Sequence, residues 1–257
     1  MTKKTYKRII PSLFNKKGFL IRSKNFYLHQ NIGNFLNQVQ RFFEWDIDEL
    51  IYINLGQSND ENISEFNSIK KIIKKISKKC FLPLTVGGKI DTLDNAKKLI
   101  RTGADKLVIN SAIFHNKKLI KEITDILGSQ AVVASIDYKI INNKPILFTN
   151  NGINNTQKKI IDWIKECEDL GVGEFFLNSI DRDGTGKGFD IKTINMVIKN
   201  TSLPIIACGG AGTEEHFYKA FANTDINALS AANFFHFKEN SYPNLKKFLY
   251  KKKIKIR

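Results

Sequence analysis

The chain is 257 residues long, beyond most single domains but close to the roughly 250 typical of one complete (β/α)₈ barrel. Apolar residues make up 42% of it and no apolar run approaches the ~18 residues of a spanning helix, which excludes disordered and membrane classes. Its net charge of +16 would suit a nucleic-acid binder, but the lysines are spread along helix faces without clustered aromatic residues, so no nucleic-acid partner is expected.

Short β-branched runs alternate with helix-length segments along the chain. The expected strands are Arg8–Leu13, Glu49–Asn54, Pro83–Val86, Lys106–Asn110, Ala131–Ile136, Glu174–Ser179, Pro204–Cys208 and Ile226–Ala231. Between and after them lie helical patterns at Ile32–Trp45, Ile63–Lys79, Thr92–Thr102, Lys117–Leu127, Gln157–Leu170, Ile191–Lys199, Glu214–Ala222 and Asn244–Lys251. Lys70, Lys71, Lys74 and Lys75 form the outer face of one such helix, with Ile69, Ile72, Ile73 and Ile76 on the inner face. Alternation of this kind predicts parallel strands with crossover helices, a TIM barrel filling residues 1–257 as one domain. Continuous apolar runs such as Ala131-Val132-Val133-Ala134 suit strands covered on both faces. The basic N-terminus lacks a long apolar stretch or cleavage site, so a cytoplasmic location is expected.

An internal repeat predicts that the barrel is two related half-barrels. Leu82-Pro83 recurs as Leu203-Pro204, an offset of 121 residues, which also carries Phe114-His115 onto Phe235-His236 and Gly88 onto Gly209. Near-equal offsets pair Ser12-Leu13-Phe14 with Ser135-Ile136-Asp137 and Glu49 with Glu174.

The repeated loops carry the chemistry. Gly87-Gly88 ends the third strand and Gly209-Gly210 the seventh, where glycines let backbone N–H groups approach an anion. One strand later stand Asn110-Ser111 and Ala232-Asn233, so two phosphate sites facing each other across the mouth are expected. Asp137 closes a buried strand, where an unpaired carboxylate is costly unless it serves chemistry, and Asp183 sits in a loop over the mouth. These two are the candidate catalytic residues. Opposite Asp137 the repeat places Phe14. At the strand beginnings, Arg8, Glu49, Lys106 and Glu174 would form a charged ring at the barrel floor, expensive to bury for packing alone. Cys80, Cys167 and Cys208 lack metal-ligand spacing and are read as buried thiols, with no metal and no cofactor.

By these residues the chain resembles the cyclase subunit family of imidazole glycerol phosphate synthase, the HisF family. The motifs are Lys7–Leu13, Pro83–Gly88, Thr102–Lys106, Ile109–Ala112, Gly128–Gln130, Asp181–Thr185 and Gly209–Gly212. The resemblance implies a glutaminase partner docked under the barrel, with ammonia passing through the gate of Arg8, Glu49, Lys106 and Glu174 to a phosphorylated ligand. It also marks departures: Phe14 and Asn54 stand where the family has aspartates, Lys89 where it has a phosphate-loop glycine, and Asn233 where it has a phosphate-binding serine. Because Phe14 cannot move a proton, the chain looks more like paralogues of surface-polysaccharide clusters. Those serve glutamine-dependent amidation of an acetamido sugar, together with a separate sugar amidotransferase acting on a nucleotide-sugar ligand. Imidazole glycerol phosphate synthesis in histidine biosynthesis is the alternative expectation, and a non-catalytic scaffold the third.

Overall fold

The computed structural model describes residues 6–56, 70–76 and 82–257. Eight parallel strands close into a barrel in the order β1 (Arg8–Lys16), β4 (Leu50–Asn54), β5 (Leu84–Gly87), β6 (Lys106–Ile109), β7 (Val132–Ile141), β10 (Glu174–Ser179), β11 (Ile205–Cys208) and β12 (Ala228–Ala231). The last pairs with the first, Arg8 opposite Ala228 and Pro11 opposite Ala231. All eight expected strands are present, and the fold is the (β/α)₈ barrel.

Helices α1 (Phe35–Glu44), α2 (residues 70–76), α3 (Leu93–Thr102), α4 (Ser111–His115), α5 (Lys117–Leu127), α6 (Ile160–Asp169), α7 (Ile191–Ile198), α8 (Glu214–Asn223) and α9 (Ser241–Lys251) surround it. Four of their starts are fixed by side chains that satisfy free backbone N–H groups: Asn34 caps Leu36, Thr92 caps Asn95, Asn116 caps Leu119 and Asp190 caps Thr193. In α2 the expected faces are observed, with Ile73 and Ile76 buried and Lys71, Lys74 and Lys75 exposed. Ile69 and Cys80 lie outside the described residues.

Two cores result. The larger lies between barrel and helices, joining outward-facing residues such as Ile9, Tyr52, Leu107 and Leu177 to Phe35, Trp163, Phe217 and Leu245. The smaller fills the barrel itself: Ile10, Ile51, Val108, Val133, Phe176, Ile206, Cys208 and Ala228. Alternate residues along each strand go to one core or the other, as period-2 side chains in a closed parallel sheet require.

Two segments differ from the sequence reading. The helical pattern from Ile32 begins as a strand, because β1 runs on into an antiparallel hairpin of β2 (Phe19–Lys24) and β3 (Leu28–Asn34). The pattern from Gln157 likewise begins as a strand, since β7 runs on into β8 (Lys144–Thr149) and β9 (Asn154–Lys159). Each first turn has two residues of positive φ, Lys17-Gly18 (52° and 84°) and Asn142-Asn143 (49° and 61°). This is the turn type whose twist suits a two-residue hairpin. The same device at the same place in both halves supports the internal repeat.

Candidate active site

The four charges expected at the floor come together. Arg8 Nη1 donates to Glu49 Oε2 at 3.0 Å and its Nη2 to Glu174 Oε1 at 2.5 Å, while Lys106 Nζ donates to Glu174 Oε2 at 2.6 Å. Strand starts put them there: Arg8, Lys106 and Glu174 open β1, β6 and β10, and Glu49 precedes β4. Burial pushes the Glu174 carboxyl upward, but Arg8 and Lys106 outweigh it and hold its pKa below the ordinary value. Sequence reasoning missed a further cation. Arg257 Nη1 donates to Glu49 Oε1 at 3.0 Å, brought there because Arg257 N bonds to Lys7 O beside the first strand.

Above the floor, the inner core around Phe176 is a layer of apolar side chains, to which β5 adds the buried Thr85. It would pass a small neutral molecule more readily than a charged one, because an unpaired ion pays heavily for leaving water. Above it come hydroxyls, with Ser12 Oγ and Ser230 Oγ sharing a hydrogen bond of 2.5 Å. The mouth follows.

At the mouth the two glycine loops adopt matching geometry. Gly88 has φ of +98° and Gly209 +101°. A Cβ on Gly88 would stand 2.2 Å from Asn54 O, and one on Gly209 2.7 Å from Ser179 O, which are equivalent residues of the two halves. Only glycine suits either place. The next position differs: Gly210 has φ of +100°, whereas its counterpart Lys89 holds a left-handed φ of 60° with a side chain attached.

Asp137 is buried, and its side chain accepts hydrogen bonds from Ser135 Oγ and Asn110 Nδ2, both at 3.1 Å. Burial raises its pKa to about 7, against a lowering by the Ser135 bond and with a further rise from the Asp183 charge. A carboxyl of that pKa exchanges protons near neutrality, as a general acid or base must. Asn110, expected at a phosphate site, thus directs its amide to the carboxylate, while Ser111 Oγ donates to Asn110 Oδ1 and accepts from Asn150 N.

Asp183, the second expected catalytic carboxylate, is an anchor for the β2–β3 hairpin. It accepts from Ser23 Oγ at 2.6 Å and from Phe26 N at 3.3 Å. Burial raises its pKa, partly offset by those two bonds. Asn233 Nδ2 donates to Ser23 O at 2.8 Å, so two expected site residues hold the hairpin over the mouth. Nothing local marks Ser23 as their partner, since it lies 160 residues from Asp183 and 210 from Asn233. Phe14 packs under the hairpin against Ile21 and Ala232, with Ile53 and Leu55 beside it. The mouth therefore sets the buried carboxylate of Asp137 across from an apolar wall, with the buried Asp183 tied to the hairpin.

A closed eight-stranded barrel of two related halves, with paired glycine loops and a carboxylate at one end and a charged ring at the other, defines a doubled half-barrel (β/α)₈ protein. Residues 8–241 match the family model described as histidine biosynthesis protein, and the chain belongs to that family. It is 38% identical over 252 residues to the imidazole glycerol phosphate synthase subunit HisF of Hydrogenobaculum sp., covering 98% of both chains. The subunit of the same name from Sulfurisphaera tokodaii is 38% identical over 98% of this chain and 99% of its own. That of Thermotoga sp. is 39% identical over 98% and 97%. The chain is thus HisF-like. These relatives bear the histidine-pathway name, so the comparisons favour that expectation over sugar amidation, which nothing in them supports. Among the described residues there is no cluster of metal-binding side chains and no helix long and apolar enough to cross a membrane.

Proposed function

We propose that this chain is the barrel subunit of an imidazole glycerol phosphate synthase, a lyase-type enzyme using ammonia released by a glutaminase docked at the floor. The observation that carries the reading is the placement of the charged ring and Asp137 at opposite ends of one barrel, with a largely apolar core between them. Ammonia enters beside Lys106 and Glu174, crosses the layer around Phe176 as a neutral molecule, and meets an acceptor held at the mouth. Backbone N–H groups of the Gly87-Gly88 and Gly209-Gly210 loops, with Asn110-Ser111 and Ala232-Asn233, hold the acceptor's two phosphates. Asp137, ionised, takes a proton from the attacking nitrogen. The single domain of 1–257 and a cytoplasmic place belong to this reading, which needs no cofactor.

A second reading, ammonia delivery for amidation of an acetamido sugar through a separate amidotransferase, draws on Phe14 alone, since that wall lacks the facing acid. Purified protein given ammonium chloride and the bisphosphorylated aminoimidazole ribotide precursor should release imidazole glycerol phosphate. Failure to do so, with ammonia instead reaching a nucleotide-linked acetamido sugar when the partner enzymes are present, would reverse the order of the two readings.

A further inference from the structure

The residue that replaces a carboxylate at the end of β1 leaves an opening beside it. Phe14, Ser23, Phe26, His29, Leu55 and Asn151 line a pocket of about 20 Å³, room for one water-sized group. Its walls are largely aromatic and aliphatic, and His29 is the one acid–base side chain among them. The hairpin that carries His29 is fixed at its other strand by Asp183 and Asn233, through Ser23 and Phe26. Ser23 and His29 are paired across that hairpin, so the imidazole is placed by the same anchors.

Which ring nitrogen carries the proton follows from its neighbour. Lys16 Nζ lies 3.4 Å from His29 Nδ1, and an ammonium can only donate, so Nδ1 accepts and the hydrogen of the neutral ring sits on Nε2. Burial, and then the charge of Lys16, lower the pKa of His29 and keep the ring neutral.

We propose that His29 is a catalytic residue of the mouth, giving an N–H hydrogen bond to the electrophilic end of the acceptor where Phe14 can give none. The inference rests on the ammonia-using synthase reading and names the group that completes its site. As the ammonia nitrogen bonds to the acceptor carbon, the π electron pair of that carbon's double bond moves to its heteroatom. Asp137 takes a proton from the new ammonium centre, and the heteroatom's developing charge is held by His29 Nε2–H. A neutral imidazole can serve as such an electrophile. The two groups come from equivalent ends of the two half-barrels, a carboxylate on β7 and an imidazole on the hairpin that extends β1.

The test uses the full-length protein with ammonium chloride and the ribotide precursor, with precursor binding followed separately by calorimetry. Loss of one well-placed donor costs roughly 10²- to 10³-fold in kcat. H29A should fall by that amount with precursor affinity changed little. H29Q, which keeps a side-chain N–H, should fall less, and F14D placed in the H29A background should recover part of the loss. Equal turnover by wild type and H29A, or an H29A defect confined to binding, overturns the role of His29 and leaves the synthase reading standing. A wild-type protein that neither binds nor converts the precursor overturns the synthase reading and this inference with it.

Discussion

The two half-barrels share their loops and turns but divide their chemistry unequally. In the first half the floor is rich in charge, with Arg8, Glu49 and Lys106, and the mouth ends in Phe14. In the second half the positions matching Arg8 and Lys106 are Ala131 and Asn227, so of the three matching places only Glu174 is charged, and the mouth ends in the buried carboxylate of Asp137. The halves share a backbone plan because turn and loop geometry constrain it in both: Lys17-Gly18 answers Asn142-Asn143, and Gly88 answers Gly209. Side chains facing the bore are free of that constraint. A duplicated scaffold can therefore place admission at one half and proton transfer at the other without altering the fold.

The largest expected effect comes from removing the second half's acid. D137N should lower ammonium-dependent turnover roughly 10²- to 10⁴-fold, the range for one general acid or base. F14A, at the matching place, should act chiefly on stability, costing about 3–5 kcal/mol in chemical denaturation as a buried aromatic truncation does. If both variants act mainly on turnover, the halves are not divided as described.

The glycine loops sharpen the comparison next. G88A forces a Cβ to within 2.2 Å of a backbone oxygen and G209A to within 2.7 Å, both at positive φ. Each should cost on the order of 1–3 kcal/mol, with G88A the worse, and phosphate affinity measured by calorimetry should fall at the loop that is changed.

The floor ring lies at the opposite end of the barrel from Asp137, so its loss should spare chemistry driven by added ammonium. K106M should leave the melting temperature nearly unchanged and reduce the ratio of glutamine-driven to ammonium-driven product by about tenfold, or 1.4 kcal/mol. An unfolded variant whose surviving fraction keeps the wild-type ratio would make the ring a structural plug.

The smallest and most graded effect is that of pH on Asp137. Its folded pKa of about 7 exceeds the unfolded value, so the native state binds the extra proton between about pH 4 and 7. Stability contributed by this group is present in acid and lost as pH rises toward 7, by a few kcal/mol at most. Turnover that needs the ionised form should run the opposite way, rising about tenfold per unit up to pH 7 and levelling above it. D137N should flatten both profiles.

Much of this was legible in the sequence, for reasons that particular residues show. Arg8, Glu49, Lys106 and Glu174 could be placed because a charge at or just before a barrel strand has one end of the barrel to occupy. The repeat exposed Asp137 and Phe14 as counterparts before any geometry. The hairpins are hidden because Ile32 extends the apolar spacing of α1 backward, and because the all-polar Asn154–Lys159 ahead of α6 shows no strand alternation, although Lys17-Gly18 and Asn142-Asn143 carry the turn signal. The tether between Asp183 and Ser23 had no local signature at all. Polar side chains that bond across the barrel look, along the chain, the same as those that face a ligand, and for that reason nothing in the sequence around Asn110 or Asn233 points to their bonds with Asp137 and Ser23.

The parallel ladder that joins β12 to β1 also bears on how the molecule folds. The halves meet along two seams. At one, Leu107 pairs with Val132, so a short loop closes it. At the other, Ile9 pairs with Leu229, and nearly the whole chain must be gathered first. Loop-closure entropy grows with the logarithm of the loop, so the second seam starts about 2 kcal/mol behind the first. Each half can gather its strands through local contacts, and the wide seam closes late. Folding intermediates should therefore protect the amides of β6 and β7 from exchange before those of β1 and β12, and the floor ring, which draws on both halves, should form only as the last ladder zips.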